Sequence, residues 1–164
     1  MFKEEIMTKK IDFQDKRYEH VAIVGLGYVG LPLCIEFARN HHCVGFDVDH
    51  AKISQLTDGI RPIEDITQED LESTTSVFSS KVEDLSDSSV FIVTVPTPIK
   101  ADNSPDLTLL EKATEMLAKV IKKGDVVVYE STVYPGVSEE FCVPILEKVS
   151  GLTFNLDFFV GYSP

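Results

Sequence analysis

Residues 20–32, HVAIVGLGYVGLP, constrain this chain more than any other stretch. Residues 21–24 form a short apolar run rich in β-branched side chains, the pattern of a buried strand. The run passes directly into Gly25-Leu26-Gly27-Tyr28-Val29-Gly30, a G-x-G-x-x-G. A helical pattern follows, with Leu33, Phe37 and Ala38 on one face and Pro32 in the first turn, where a missing N–H costs least. Strand, glycine turn and helix in that order are the context that gives the motif its meaning. Gly25 lets the chain leave the strand in a tight turn. Gly27 keeps the backbone bare for a pyrophosphate, and Gly30 lets the helix pack close to the strand. The free N–H groups and positive dipole end of the helix then point at the phosphates.

A dinucleotide reading requires an acidic residue about 20 positions further on, at the end of the next strand, to hold a ribose diol. Asp47 closes the run CVGFD, 20 residues past Gly27. The plain alternative, a chance glycine turn in a βαβ unit, explains neither Asp47 nor its position. A carboxylate there favours a free 2′-hydroxyl and hence NAD, since a 2′-phosphate would be repelled and no arginine follows. Lys52 stands one helical turn further, within reach of the adenosine ribose or a phosphate; taken alone it reads as a solvated lysine. FAD satisfies the same fingerprint but suits a domain this small less well.

Composition excludes other classes. A net charge of −12 argues against nucleic acid and anionic membranes, which draw most of their affinity from basic patches. It does not argue against a dinucleotide held by local N–H groups. No apolar run approaches the ~18 residues of a membrane span, and the charged amino terminus lacks a signal-peptide core, so a cytoplasmic location is the default expectation. Cys34, Cys43 and Cys142 have no C-x-x-C spacing and read as small core residues rather than a disulfide framework or metal site. His41 and His42 read as a turn between helix and strand.

Along the chain, residues 1–19 read as a charged extension and 20–164 as one domain. Strands are expected at 21–25, 43–47, 77–78, 90–95, 125–130 and 158–160. Helices are expected at 29–40, after Asp49 as N-cap, near 68–72, from Asp106 as cap through Leu107, Leu110, Ala113, Leu117, Val120 and Ile121, and over 137–149 with an interruption at Pro144. The run VFIVTV reads as a central parallel strand covered on both faces. Alternating strands and helices joined by right-handed crossovers predict an α/β, Rossmann-type doubly wound parallel sheet of about six strands, ordered 3-2-1-4-5-6, with helices on both faces. Ligands then bind beyond the carboxyl ends of the strands, where loops 25–30, 95–98 and 131–136 converge.

The segments IVGLGYVGLPL, GFDVDHAKI, FIVTVPTPI, VVYESTVYPG and GYSP, five motifs in order over residues 21–164, together resemble the amino-terminal domain of the UDP-glucose/GDP-mannose dehydrogenases. The similarity is strongest to the branch acting on UDP-N-acetylhexosamines in capsule and O-antigen synthesis. The resemblance implies an NAD-binding domain of an enzyme that oxidises a sugar C6 hydroxyl to a carboxylate with two NAD. It places Gly25, Leu26, Gly27, Tyr28, Val29 and Gly30 at the pyrophosphate, and Asp47 and Lys52 at the adenosine ribose. Val95, Pro96 and Thr97 line the cofactor, while Ser131 and Thr132 reach the nicotinamide, with Thr132 near the reacting centre in a supporting role. It also implies a UDP-sugar substrate and a homodimeric parent that pairs through a later helix, which leaves this stretch free to be monomeric.

The family's nucleophile is a cysteine in a glycine-rich motif far downstream, and no cysteine here sits in one. GYSP normally continues, so the chain is expected to be a catalytically incomplete fragment. Two alternatives remain: a free-standing dinucleotide-binding module, and a dehydrogenase of the 3-hydroxyacid or 6-phosphogluconate type. The ESTVYPG loop argues against the second.

Overall fold

The computed structural model describes residues 15–130, 133 and 136–163. Six strands, β1 (His20–Val24), β2 (His42–Phe46), β3 (Val77–Ser79), β4 (Val90–Val93), β5 (Val126–Tyr129) and β6 (Phe159–Tyr162), form one sheet ordered β3-β2-β1-β4-β5-β6. Every neighbouring pair is parallel, with Val24 beside Phe46 on one side and Val93 on the other. The predicted doubly wound order is therefore the observed one.

Helices α1 (Gly30–Phe37), α2 (His50–Thr57) and α3 (Gln68–Ser73) follow the first two strands, and α4 (Thr108–Leu117) and α5 (Val143–Ser150) follow β4 and β5. Period-two alternation along β1 splits the core. Val21 and Ile23 pack with Leu31, Cys34, Ile35, Leu56 and Leu71 of α1–α3. Ala22 and Val24 pack with Leu110, Leu117 and Leu146 of α4 and α5. Both faces of the central strands are thus covered, which is why β1 and β4 read as unbroken apolar runs.

Several local expectations are corrected. The buried face of α1 is Leu31, Cys34, Ile35 and Ala38, while Leu33 and Phe37 are only partly covered. The small Cys34 and Ala38 let the helix lie close to the sheet. The first helix ends at Phe37 rather than residue 40, and His42 opens β2, its ring stacked on His20 at 4.7 Å, instead of belonging to the turn. Helix α4 stops at Leu117, past which the chain winds more tightly, the Lys119 and Val120 N–H groups reaching back only three residues to the Met116 and Leu117 carbonyls. The N-cap of α4 is Leu107 rather than Asp106, whose carboxylate, one residue earlier, accepts the Thr108 N–H at 3.0 Å. The interruption expected at Pro144 falls just before it, as a π-helical turn over Ser138–Cys142. Proline has no N–H to give to residue 140, so a wider turn precedes it. Strands β1, β2 and β4 each end before the residue expected, at Val24, Phe46 and Val93, where their loops begin.

Candidate functional site

The sheet's strand order reverses between β1 and β4, and in open parallel sheets ligands bind at such a switch point, beyond the carboxyl ends of the strands. Gly25 turns the chain out of β1 with φ +101°, a conformation that excludes nearly every other residue. Its N–H still reaches the Phe46 carbonyl at 2.8 Å, so the turn is tied to β2. Gly30 opens α1 directly against this turn. A Cβ on Gly30 would overlap the Gly25 carbonyl oxygen and the Thr94 hydroxyl. The Thr94 hydroxyl itself donates to the Gly25 carbonyl at 2.6 Å. Gly27 differs: a Cβ there would meet nothing within 4 Å, so the backbone faces open space.

The start of α1 completes this cradle. Helix α2 is capped by the Asp49 carboxylate and α3 by a reciprocal Thr67–Asp70 capping box. Helix α1 follows Val29 with no side-chain cap; its Leu31 and Leu33 N–H groups turn back to the Gly27 and Val29 carbonyls, and the positive end of its dipole is left to an external anion. Leu26 is fully buried beneath the loop, whereas Tyr28 and Val29 stand outward on its solvent side.

Asp47 follows β2 immediately and is 8% exposed. Its Oδ2 accepts the Leu26 N–H at 2.9 Å and the Lys52 ammonium at 2.7 Å; its Oδ1 accepts the Asp49 N–H at 3.0 Å. Burial works against the charge. The Lys52 ammonium and the N–H groups of Asp49 and Leu26 more than offset it, holding the carboxyl below its ordinary range. A carboxylate offers about four lone-pair sites, so three partners leave one for a hydroxyl donor. Such a group accepts from a diol and repels a phosphate. The half-buried Lys52 is thus an ion-pair partner of Asp47 rather than a solvated lysine.

The structure therefore brings together Gly25, Leu26, Gly27, Tyr28, Val29 and Gly30 with Asp47 and Lys52. Val95 joins them, its side chain and N–H each 3.2 Å from where a Cβ on Gly25 would lie, and Pro96 and Thr97 continue from it along the same loop. Ser131 and Thr132 lie outside the described residues. Thr94 is a residue the sequence reading missed: a polar side chain closing the apolar run VFIV was its signal. The bare space over Gly27, the uncapped helix and the spare acceptor on Asp47 fit a dinucleotide with a free ribose diol. Among the described residues no group of three or more His, Cys, Asp or Glu is placed to hold a metal ion, and no helix is long and apolar enough to cross a membrane.

A family model described as the UDP-glucose/GDP-mannose dehydrogenase family, NAD binding domain, matches residues 19–164. A UDP-N-acetyl-D-glucosamine 6-dehydrogenase of Pseudomonas aeruginosa is 54% identical over 145 residues, which cover 88% of this chain and 34% of that protein. Protein CapL of Staphylococcus aureus is 48% identical over the same shares of the two chains. The solved structure of a UDP-D-ManNAc dehydrogenase from Pyrococcus horikoshii superposes with a TM-score of 0.83 at 36% identity, over 88% of this chain and 36% of that one. The chain spans about a third of the length of the relatives it matches.

Proposed function

Since the chain belongs to the UDP-glucose/GDP-mannose dehydrogenase family through its NAD-binding domain, we propose that it serves an enzyme oxidising the C6 hydroxyl of a UDP-N-acetylhexosamine to the uronic acid. The reaction uses two NAD and feeds surface-polysaccharide synthesis, a role that the likeness to CapL supports. Bound NAD supplies the hydride acceptor. The chain's own residues bind and orient. The bare loop at Gly27 and the start of α1 receive the pyrophosphate, with Gly25 and Gly30 shaping the turn around Leu26, Tyr28 and Val29. Asp47 accepts from the adenosine ribose while Lys52 steadies its charge. Val95, Pro96 and Thr97 line the cofactor, and Ser131 and Thr132 reach the nicotinamide end, Thr132 supporting the reacting centre.

The cysteine that carries the second oxidation is supplied from outside these 164 residues. Cys34, Cys43 and Cys142 are all buried in the two cores, unsuited to attack a sugar aldehyde. Oxidising UDP-sugar is therefore the work of the larger enzyme, which we take to be a cytoplasmic homodimer.

The observation that carries this reading is the Asp47 carboxylate, strapped to the glycine loop and left with one free acceptor. The test is calorimetric titration of the chain with NAD and with NADP, alongside Asp47→Ala. Binding of NAD, at least roughly tenfold weaker for NADP and for the variant, is expected. Equal affinity for NAD and NADP would refute the assignment of Asp47. NADH formation by this chain alone with UDP-N-acetylglucosamine would refute its catalytic incompleteness.

A further inference from the structure

Cys34 on α1 and Cys43 at the start of β2 meet inside the core on the α1 face of the sheet, their sulfurs 3.5 Å apart. Cys34 is fully buried and Cys43 is 4% exposed. We propose that this pair is a redox-convertible dithiol, closed by hydrogen peroxide to a disulfide that weakens the grip of the glycine loop on its dinucleotide.

Geometry favours closure. A disulfide needs the sulfurs at about 2.05 Å, so the pair must approach by only ~1.5 Å, shared between two side chains. Access is provided from the far end of the sheet. A cavity of about 520 Å³ opens at the amino-terminal ends of β1, β2 and β3, and Cys43 lines it with His20, Arg39, His41, His42 and Val77. A molecule the size of peroxide fits such a cavity, whose lining includes Cys43 but not Cys34, so it reaches the Cys34 sulfur past Cys43, 3.5 Å away; a protein oxidant does not.

The two thiols are also unequal. The hydrogen bond with Cys43 favours the Cys34 thiolate over the opposing effect of burial, and Ser76, 3.5 Å from the Cys34 sulfur, assists. The same contact, together with burial, pushes the Cys43 thiol up. Cys34 is then the attacking sulfur and Cys43 the resolving one. The Cys34 thiolate attacks one peroxide oxygen, the O–O bond breaks, and the departing hydroxide takes up a proton, leaving a sulfenic acid and one water. The Cys43 sulfur attacks the sulfenic sulfur, its thiol proton leaves with the hydroxyl as a second water, and the S–S bond forms. In sum, two thiols lose two electrons and two protons, and one peroxide becomes two waters.

The link to the cofactor loop runs through Gly45. A Cβ placed on Gly45 would lie 2.8 Å from the Cys34 sulfur and 3.1 Å from the Leu26 side chain, so sulfur and leucine press on one patch of β2. Leu26 in turn gives its N–H to Asp47. Drawing the Cys34 sulfur toward Cys43 removes the support beneath Leu26, and with it the alignment of the Leu26 N–H. One hydrogen bond of this kind corresponds to roughly a three- to tenfold change in affinity.

The experiment treats the chain with hydrogen peroxide, then denatures it for thiol titration, intact mass and peptide mapping, and titrates native samples with NAD. Expected are a fall from three free thiols to one, a cross-linked peptide joining Cys34 to Cys43, and NAD affinity lowered several-fold and restored by dithiothreitol. Cys43→Ser should stop at an oxidised single thiol and keep its NAD affinity after peroxide. Three surviving thiols, or sulfinic acid at Cys34 in the unsubstituted chain, would overturn the dithiol. A disulfide that leaves NAD affinity unchanged would overturn the coupling to the loop. The affinity readout rests on the cofactor reading above. If the reduced chain binds no NAD, that reading has failed, and the thiol count and peptide map still decide whether the dithiol exists.

Discussion

Gly27 and Gly30 belong to one motif, yet the structure gives them separable jobs, and alanine at each position tests this. A Cβ on Gly30 would coincide with the Gly25 carbonyl oxygen, overlap the Thr94 hydroxyl, and lie 2.9 Å from the Gly25 carbonyl carbon. Two of these three contacts are backbone, so no rotamer change relieves them. Either the turn or the whole of α1 must shift. Overpacking of this kind costs about 3 kcal/mol, and the gain from replacing glycine at a helix start is at most about 1 kcal/mol. The overlap wins, for a net loss of ~2–3 kcal/mol. For a domain of this size that corresponds to a drop in melting temperature of roughly 5–10 °C. Gly27→Ala meets nothing within 4 Å. Its effect on folding is neutral or a gain of up to about 1 kcal/mol from the stiffer unfolded chain. Its Cβ, however, occupies the space into which the pyrophosphate would descend, and NAD affinity should fall at least roughly tenfold. Thermal melts by circular dichroism and calorimetric titration with NAD read the two effects apart. Equal melting shifts for both variants, or undiminished NAD binding by Gly27→Ala, would refute this division of labour.

Lys52→Met removes the cation that holds the Asp47 carboxyl low. A lowered carboxyl contributes stability that is full above the ordinary carboxylate range and is lost as pH falls through the lowered value. Without Lys52 that loss should begin at higher pH, with about 1 kcal/mol missing at neutral pH, in acid titrations followed by circular dichroism. In the other core, the Thr114 and Tyr129 hydroxyls meet at 3.0 Å, and Thr114 also donates to the Leu110 carbonyl at 2.7 Å. Thr114→Val leaves the buried phenol only the Cys142 sulfur, a weak partner, and should cost about 2 kcal/mol, whereas Tyr129→Phe leaves Thr114 its carbonyl and should cost about 1 kcal/mol. The double variant should be no worse than Thr114→Val, as read by urea denaturation; full additivity of the two losses would contradict the shared bond.

Much of the fold was legible because its signals are local and redundant. The β-branched run, the glycine turn and the apolar period of α1 lie within a few residues of one another, and the strand alternation sets the sheet order through crossover handedness. What failed was local geometry decided by distant partners. The apolar period continues from Leu117 to Val120 and Ile121, yet α4 ends, because the next turn is pinned elsewhere. The buried Asp125 carboxylate accepts the Lys122 N–H at 2.9 Å, and the Gly124 N–H bonds the Asp157 carbonyl at 2.6 Å. Nothing in residues 108–121 announces either partner. The buried face of α1 was misplaced for a related reason. Leu33 and Phe37 look like core, but of the expected face only Ala38 is buried, and Leu31, Cys34 and Ile35 face the sheet with it.

The candidate site was legible for a reason that differs from the motif's usual reading. The 20-residue spacing from Gly27 to Asp47 is taken as a ribose signal, yet in the structure Asp47 first straps the loop by accepting the Leu26 N–H. The two readings share a cause. Because β2 lies beside β1 and runs parallel to it, the first residue past β2 must face the loop that leaves β1. A ligand held on that loop would therefore meet whatever side chain stands there, and the proposed diol would use a lone pair of the carboxylate that the loop does not. Lys52 could not be paired with Asp47 from spacing alone, since the turn into α2 that brings it back is made by Asp49, whose carboxylate accepts the Ala51 and Lys52 N–H groups. Thr94 escaped notice because its work is done across the sheet, on a carbonyl 69 residues earlier in sequence. Spacing thus finds the residues that the fold forces to face one another, as Asp47 faces the glycine loop, and misses those that hold the loop in shape from the next strand.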